Sequence, residues 1–562
     1  MLPRDRFRLL VIALAGWLAV VLGRLVQVQV LQHEHWQAEA ARQQEKTIEV
    51  EEPRGDIVSR DGRVLASSVE RVVVYANPRQ VPHEQWADVA RRLSPLVGLP
   101  APTILARFGE RDGFFYLARD LDPEVVTAVA QLRQRGIGTL RMERRVYPHG
   151  ALAGPVIGFV DGEGVGQAGI ESFYDRTLRG TPSVFRLLRD GKSLPTPLDL
   201  RLEKQGRAGI SLVLTIDSRV QAAVEQELAI TLDRIGGKGA SAVVLDPLTG
   251  EVLALASVPS FAPGRLGDTP GRQRRNQAVE VALEPGSTFK SFIVAAAIEH
   301  GLISPNQMID CSGGGVQVAG FFIRDHAKYG PLSVRDLLTY SSNAGAIRIA
   351  QRLAPEQLDE FITRFGFNRS TGVELPGETR GVYHGPRSWS ALSRAGLAIG
   401  QEIAVSPLQL AQGYAVFANG GMLVRPTIVR ETRDQGGRVL TPYRPQAPVR
   451  VLPSEIARGM AELLTGVVEE GTGVAAHVPG YRIAGKTGTA QKPIDGSYRT
   501  GAHAPWFVGF LPVPNPRLVI VVCVDEPHTS FWASDVAAPT FGRIAARLVA
   551  LLGIPPTSGG TA

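Results

Sequence analysis

The chain has 562 residues, a formal net charge of +7, and 44% hydrophobic against 20% charged residues. At roughly 100–200 residues per domain this length predicts about three or four structural units, and the composition excludes wholesale disorder. The small basic excess does not favour nucleic-acid binding. The two cysteines, Cys311 and Cys523, are too few for a disulfide scaffold or a four-cysteine zinc site and leave open one disulfide or two separate buried thiols.

An apolar segment near the N-terminus predicts a membrane anchor over residues 9–31, where Arg24 is the only charged residue. A helix of that length spans a bilayer core at about 1.5 Å per residue. The positive-inside rule predicts that residues 1–8 are cytoplasmic and that the rest is exported. The arginines that precede the span are Arg4, Arg6 and Arg8. The alternative is a cleaved signal peptide, but no small-x-small site follows at the right distance.

The next segment predicts a stalk and a first exported module, together residues 32–205. Residues 32–50 are polar and rich in helix formers, which favours a stalk helix. From residue 51 short alternating segments precede helical patterns at 83–97 and 122–135, so we expect an α+β pedestal module. The sequence GVGQAG at 164–169 matches the GxGxxG of dinucleotide-binding sites, and Asp190 lies near the position of their acidic residue. No further βαβ units surround it, which favours a glycine-rich turn before a short helix.

Residues 206–552 predict a second exported domain that mixes strands and helices. A strand runs into a long amphipathic helix at 211–232, and two strands flank a turn at 241–257, which predicts a β-hairpin. Helical and strand patterns then alternate to residue 552. Residues 553–562 are rich in glycine, proline and small polar residues, so we expect a disordered tail.

The strongest chemical signal in this domain begins at Ser287-Thr-Phe-Lys290. Pro285 and Gly286 indicate a helix start just before it, and the three-residue spacing places Lys290 one turn from Ser287 on the same face. A serine hydroxyl needs an adjacent base to act as a nucleophile. A lysine amine can be that base only if burial or a neighbouring cation lowers its pKa.

Two further motifs follow in an informative order. Ser341-Ser-Asn343 opens a second helical stretch, and Lys486-Thr-Gly-Thr489 lies in a short strand-like segment. The GKT sequence also fits a phosphate-binding loop, because Gly480 precedes it at the required distance. The turn-rich segment that follows is not the helix which such a loop requires, so we do not favour nucleotide binding.

In this order and spacing, Ser-x-x-Lys, Ser-x-Asn and Lys-Thr-Gly resemble the active-site motifs of penicillin-binding proteins and serine β-lactamases. The chain is identified by similarity as a class B penicillin-binding protein of the division-type, FtsI-like branch. The blocks outside the trio that carry this resemblance are residues 54–66, 166–175, 214–221, 245–257, 471–473, 484–491 and 506–512. The resemblance implies a transpeptidase domain of the penicillin-binding, β-lactamase-like α/β (α+β) fold, with a central antiparallel sheet flanked by helices. There are two local departures. Gly400-Gln401-Glu402 stands where the family often has Gly-Gln-Gly, and Ala533-Ser534 stands where Gly-Gly is expected.

The resemblance also implies the roles of the motif residues. Ser287 is expected to attack a stem peptide and to become an acyl-enzyme, with Lys290 as its base, kept neutral in part by repulsion from Lys486. Ser341 is expected to pass a proton to the leaving amine and Asn343 to hold the substrate amide. The expected carboxylate-binding residues are Lys486, Thr487, Gly488 and Thr489. The backbone N–H groups of Ser287 and Thr489 are expected to form the oxyanion hole.

The same resemblance implies where and with what the protein works. We expect a single-pass protein of the bacterial inner membrane that cross-links lipid-linked or nascent peptidoglycan stem peptides at the septum and is a target of β-lactams. The expected partners are a glycan polymerase of the FtsW/RodA (SEDS) type and other divisome membrane proteins, and neither cofactor, metal nor nucleic acid is expected. The alternatives are an elongation-type transpeptidase, a β-lactamase or penicillin sensor, and a silent scaffold. His326 could line the cleft, but we favour a structural role for it.

Overall fold

The computed structural model describes residues 4–33, 36, 45–50, 52–111, 113–188, 200–267, 269–442, 444–492 and 501–557. The chain forms two compact units. The first comprises residues 1–53 and 180–209, and the second comprises residues 54–179 and 210–562.

Helices and strands alternate along the described chain. The helices are α1 (Arg4–Val26), α2 (Trp86–Val97), α3 (Ala101–Glu110), α4 (Val125–Gln131), α5 (Gly154–Ile157), α6 (Gly169–Phe173), α7 (Asp175–Arg179), α8 (Ser218–Ile235), α9 (Gln277–Glu280), α10 (Lys290–Glu299), α11 (Val334–Thr339), α12 (Asn343–Ala350), α13 (Pro355–Arg364), α14 (Ser393–Ala398), α15 (Pro407–Ala418), α16 (Ser454–Glu469) and α17 (Ala537–Leu551). The strands are β1 (Glu45–Val50), β2 (Ile57–Val58), β3 (Val64–Ala76), β4 (Phe115–Leu121), β5 (Ile137–Val146), β6 (Ser183–Leu188), β7 (Leu200–Lys204), β8 (Ser211–Leu214), β9 (Gly239–Leu245), β10 (Val252–Val258), β11 (Met308–Ile309), β12 (Gly315–Val318), β13 (Phe321–Arg324), β14 (Leu332–Ser333), β15 (Val382–Tyr383), β16 (Ile403–Ala404), β17 (Met422–Leu423), β18 (Val429–Arg433), β19 (Val439–Thr441), β20 (Val449–Arg450), β21 (Ala484–Gln491), β22 (His503–Leu511) and β23 (Leu518–Asp525).

The first unit contains the apolar helix and a small sheet. The helix over Phe7–Leu31, with its last turn in π-helical geometry, is the one described helix that is long and apolar enough to cross a membrane. The sheet has the strand order β1-β6-β7, and Glu45 pairs with Leu188 in antiparallel register. The predicted stalk helix is therefore wrong for residues 45–50, where Thr, Ile and Val favour a strand. Residues 34, 35 and 37–44 of that stalk lie outside the described residues.

A seven-stranded sheet of the second unit joins strands from both of the expected exported modules. Its order is β19-β18-β8-β2-β3-β4, with β5 also paired to β3. β2 and β8 run parallel, with Ile57 opposite Leu212, so strands from both sides of the expected 205/206 boundary share backbone hydrogen bonds. Within this unit GVGQAG forms a turn before the five-residue helix α6, as predicted. Asp190, which a dinucleotide site would have used, lies outside the described residues.

A five-stranded antiparallel sheet of order β10-β9-β23-β22-β21 forms the centre of the C-terminal part of the chain. Alternate residues of β23 face opposite sides, and they belong to two different cores. Ile520 and Val522 lie in the core that contains the apolar side chains of α8 and α17. Val519 and Val521 lie in the core that contains α10 and α15. This layered arrangement confirms the expected fold, including the β-hairpin of β9 and β10.

Residues 553–557, expected to be disordered, have defined contacts. Ile554 is buried with the core of α8 and α17, and its carbonyl accepts a hydrogen bond from the Tyr481 hydroxyl at 2.6 Å. The Thr557 N–H donates to the Gly480 carbonyl at 2.9 Å. One apolar side chain thus continues the core beyond α17, and the disorder prediction is wrong here. Residues 558–562 lie outside the described part. Cys311 and Cys523 are two separate buried free thiols.

Candidate active site

Ser287 lies in a 3₁₀ turn, Gly286–Phe289, that leads directly into α10. Gly286 has φ +56°, a conformation that glycine adopts without strain. A Cβ atom there would lie 3.3 Å from the backbone of Thr489, so this turn packs against strand β21. The first eight residues of α10 are buried, whereas Ser287 is only half-buried. The turn therefore presents one accessible hydroxyl at the start of a buried helix.

Lys290 is completely buried one turn after Ser287. Its Nζ donates hydrogen bonds to the carbonyl of Ser341 at 2.6 Å, to Ser341 Oγ at 3.2 Å and to Asn343 Oδ1 at 2.7 Å. Burial lowers the pKa of Lys290 to about 7, although the nearby charges of Asp325 and Cys311 oppose this shift. A substantial neutral fraction at neutral pH is what a proton acceptor requires.

The second motif forms the turn before α12. Ser341 has φ +62°, an unusual conformation for a residue with a side chain. Ser342 is the N-cap of α12, and its Oγ accepts a hydrogen bond from the Gly345 N–H at 3.1 Å. The Asn343 side-chain amide donates to the Arg324 carbonyl at 2.8 Å, and its oxygen accepts from Lys290. Both the nitrogen and the oxygen of the Asn343 side-chain amide are thereby oriented.

The third motif lies within strand β21, which pairs with β22 along its whole length. Lys486 is completely buried, and its Nζ lies 3.3 Å from the Thr487 carbonyl. Burial, reinforced by repulsion from Lys290, holds the pKa of Lys486 well below its ordinary value. Burial is the main cause of both shifts, and the expected repulsion between the two lysines adds to the lowering at Lys486. The strand geometry also rules out the phosphate-loop alternative for GKT.

Strand β21 approaches the Ser287 turn closely because position 488 is a glycine. A Cβ atom on Gly488 would lie 2.4 Å from the Pro285 carbonyl oxygen. This close approach places the backbone of Thr489 beside the turn that carries Ser287. The Thr489 Oγ1 accepts a hydrogen bond from the Ala533 N–H at 3.1 Å, so its hydroxyl proton stays available to a ligand.

Three contributors to the site were not assigned from the sequence. Thr472 pairs its hydroxyl with that of Thr487 at 2.7 Å, and Asp325 contacts the turn of the second motif. Trp532 lies edge to face with His326, with 5.4 Å between the ring centroids. The signal for Thr472 was the GTG sequence at 471–473, and that for Asp325 was IRDHAKYG at 323–330.

Desolvation and the charges of Lys290 and Lys486 lower the pKa of His326. This favours the alternative that His326 lines the cleft over the structural role. Glu402, at the position of an absent family glycine, has φ +59°, and its N–H donates to Glu284 at 3.1 Å. Positive φ explains why a glycine suits that position.

Comparisons with known proteins match this geometry. Residues 240–546 match the penicillin binding protein transpeptidase domain, and residues 49–206 match the penicillin-binding protein dimerisation domain. The chain is 33% identical to the penicillin-binding protein PbpB of Mycolicibacterium smegmatis, over 97% of this chain and 90% of that protein. It is 32% identical to the peptidoglycan D,D-transpeptidase FtsI of Escherichia coli, over 98% and 92%. The crystal structure of penicillin binding protein 3 from Mycobacterium tuberculosis, complexed with aztreonam, is similar with TM-score 0.70 and 29% identity, over 92% of this chain and 99% of that one.

Proposed function

The chain belongs to the class B penicillin-binding proteins, and from this membership we propose which of its residues carry the reaction. The protein is a peptidoglycan D,D-transpeptidase, a serine acyl-transfer enzyme that acts on peptidoglycan and binds β-lactams. Its apolar N-terminal helix fits a single-pass membrane protein with an extracellular catalytic domain. We propose the domain limits 9–31 for the anchor, 32–205 for the stalk and pedestal, and 206–552 for the catalytic domain.

In the proposed acylation step, Ser287 Oγ bonds to the carbonyl carbon of the penultimate D-alanine of a stem peptide. The Ser287 proton moves to the neutral Lys290 amine. As the C–N bond breaks, Ser341 gives its hydroxyl proton to the nitrogen of the terminal D-alanine and takes a proton from the Lys290 ammonium, to which it is hydrogen-bonded. Asn343 holds the substrate amide. The single observation that supports this assignment best is the buried Lys290, which is hydrogen-bonded to both Ser341 and Asn343 and has a pKa near neutrality.

The remaining motif residues are proposed to bind the substrate. Lys486, Gly488 and the hydroxyls of Thr487 and Thr489 receive its terminal carboxylate. The N–H groups of Ser287 and Thr489 stabilise the oxyanion, an effect worth about 10²–10³-fold in rate per donor. An amine of a second stem peptide then attacks the ester carbonyl. The new amide bond is the cross-link, and the Ser287 oxygen leaves and regains its proton.

Mass-spectrometric capture of a penicilloyl adduct tests this site. We expect the adduct on the peptide that carries Ser287 and its loss in Ser287→Ala. Ser390→Ala, at an exposed serine of a surface turn, is the matched control and should label normally. An adduct on another residue would contradict the assignment. Rapid release of the label would favour a β-lactamase, and growth supported by Ser287→Ala would favour a scaffold.

We also propose that the enzyme works in septal synthesis, beside a glycan polymerase of the SEDS family, with residues 1–8 in the cytoplasm. Two observations support this: one relative is the FtsI of Escherichia coli, and Arg8 lies at the N-terminal end of the apolar helix. Depletion should give filamentous cells, whereas round swollen cells would support the elongation-type alternative. Co-purification of the full-length chain with its polymerase, and reporter fusions at each terminus, test the partner and the topology.

A further inference from the structure

Asp325 follows strand β13 and points its carboxylate at the turn of the second motif. Its Oδ2 accepts a hydrogen bond from Ser342 Oγ at 2.9 Å. Its Oδ1 accepts from the backbone N–H of Asn343 and, at 3.2 Å, from that of Ala344. One carboxylate therefore satisfies three donors at the N-terminus of α12, where negative charge is favoured.

The turn that Asp325 contacts has a strained backbone. Ser341 has φ +62°, and such conformations persist only where the surroundings hold them. The Ser341 carbonyl is the acceptor closest to Lys290 Nζ, at 2.6 Å, so the orientation of this peptide determines how the lysine is held. Asp325 is itself anchored, because its N–H donates to the Gly314 carbonyl at 3.0 Å. Asp325 thus links the segments that flank the hairpin of β12 and β13 to the second motif.

We infer that Asp325 is a positioning residue of the transpeptidase. Its carboxylate clamps the strained Ser341–Asn343 turn onto Lys290, and it also supplies a negative charge that interacts with the lysine amine. The clamp and the charge are separable contributions. An asparagine side chain can still accept from the two backbone N–H groups, but it carries no charge. An alanine side chain removes both.

The protonation of Lys290 depends on groups from several packed elements. Asp325 and Cys311 favour the charged form of Lys290, whereas Lys486 on β21 repels it. The charge of Lys290 also lowers the pKa of His326. Asp325 therefore opposes the effect of burial on the Lys290 pKa, because burial favours the neutral amine. Removal of its charge should shift the pH at which Lys290 becomes a base downward.

The pH dependence of acylation by a fluorescent penicillin, measured on the full-length chain, tests the charge. The unmodified protein should show a midpoint near the Lys290 pKa of about 7. In Asp325→Asn we expect the midpoint to fall by about one pH unit and the plateau rate to stay within about threefold. A midpoint that does not move overturns the electrostatic role.

The plateau rate tests the clamp. We expect it to fall about 10²-fold in Asp325→Ala, because a small displacement of catalytic groups has effects of that size. Where thermal melting shows that this variant does not fold, Ser342→Ala, which removes one of the three donors, should lower the plateau about tenfold. An unchanged plateau in the folded variant overturns the clamp.

Asp217→Asn is the matched control. The Asp217 carboxylate caps α8 by accepting from the Arg219 N–H at 3.0 Å and the Val220 N–H at 3.3 Å, but it lies at a different helix. It should alter neither the midpoint nor the plateau. The inference rests on the proposed roles of Ser287 and Lys290, and its failure is distinguishable from theirs. Persistent labelling of Ser287→Ala would refute the site, whereas an unlabelled Ser287→Ala with an unaltered Asp325 series would refute this inference alone.

Discussion

Two groups of buried cations in the second unit have opposite surroundings. In one, which we call the arginine–glutamate cluster, the carboxylate of Glu171 accepts from the Nε atoms of Arg54 at 2.8 Å and Arg145 at 2.6 Å, and all three side chains are buried. In the active site, Lys290 and Lys486 are equally buried, but their hydrogen-bond acceptors are neutral oxygens.

This difference separates a structural use of buried charge from a chemical one. Paired arginines keep their charge, and they hold chain segments that are distant in sequence together. Buried lysines without a directly bonded carboxylate destabilise the fold in their charged form, so their pKa falls and they become able to exchange protons. Arginine suits the first use and lysine the second, because only the lysine amine loses its proton readily in proteins.

The largest expected effect comes from Lys290→Met. We expect the acylation rate constant for a fluorescent penicillin to fall about 10²–10⁴-fold, since the variant lacks the proton acceptor. The melting temperature should rise, because a buried amine is replaced by an apolar side chain. Lys492→Met is the control, since Lys492 pairs with Asp525 and Glu526 rather than facing the site. Normal labelling of Lys290→Met would contradict the chemical use of this buried lysine as a proton acceptor.

Glu171→Ala should have the converse phenotype. The substitution removes a directly bonded carboxylate from both buried arginines and leaves Arg54 with Asp175. It should lower the free energy of unfolding by about 3–5 kcal/mol, measured by denaturant titration. The folded fraction should label at close to the normal rate. Glu163→Ala, at an exposed carboxylate of the preceding loop, should change stability by less than about 0.5 kcal/mol. A folded Glu171→Ala that labels slowly would mean that the cluster also shapes the active site.

The pH dependence should distinguish the two clusters as well. Below pH 7 acylation should fall about tenfold per pH unit, because only neutral Lys290 accepts the serine proton, and above about pH 8 it should level off. Between about pH 7 and the ordinary lysine pKa of 10.5 the unfolded chain binds the extra proton, so stability from this group rises with pH. The pH dependence of melting should therefore flatten in Lys290→Met. An unchanged slope would contradict the lowered pKa.

The smallest expected effect is that of Thr472→Val. Loss of the hydroxyl that lies 2.7 Å from Thr487 Oγ1 should weaken carboxylate binding about fivefold, in line with one hydrogen bond of about 1 kcal/mol. The effect should appear in the concentration dependence of acylation rather than in its limiting rate. Thr472→Ser keeps the hydroxyl and should restore binding. A defect confined to the limiting rate would place Thr472 in the chemistry instead.

Local sequence patterns predicted the parts of the site that lie within one element. Ser287 and Lys290 are one turn apart because of helical periodicity, and the β-hairpin of β9 and β10 was evident from two apolar runs around a turn. The same local approach failed at residues 45–50, where a helix was expected but Thr, Ile and Val favour the strand that pairs with β6. It also failed at Ile554, which is buried by a core built from distant segments.

The sequence by itself determined the family, the apolar helix and the chemical groups of the reaction, because residue type and short spacing specify them. Only the tertiary structure decided that burial lowers the pKa of Lys290, that Asp325 contacts the second motif and that β2 and β8 share a sheet. Burial and contacts between distant residues depend on how packed segments exclude water from one another. No local pattern encodes that environment, so the protonation of the site became visible only in the folded chain.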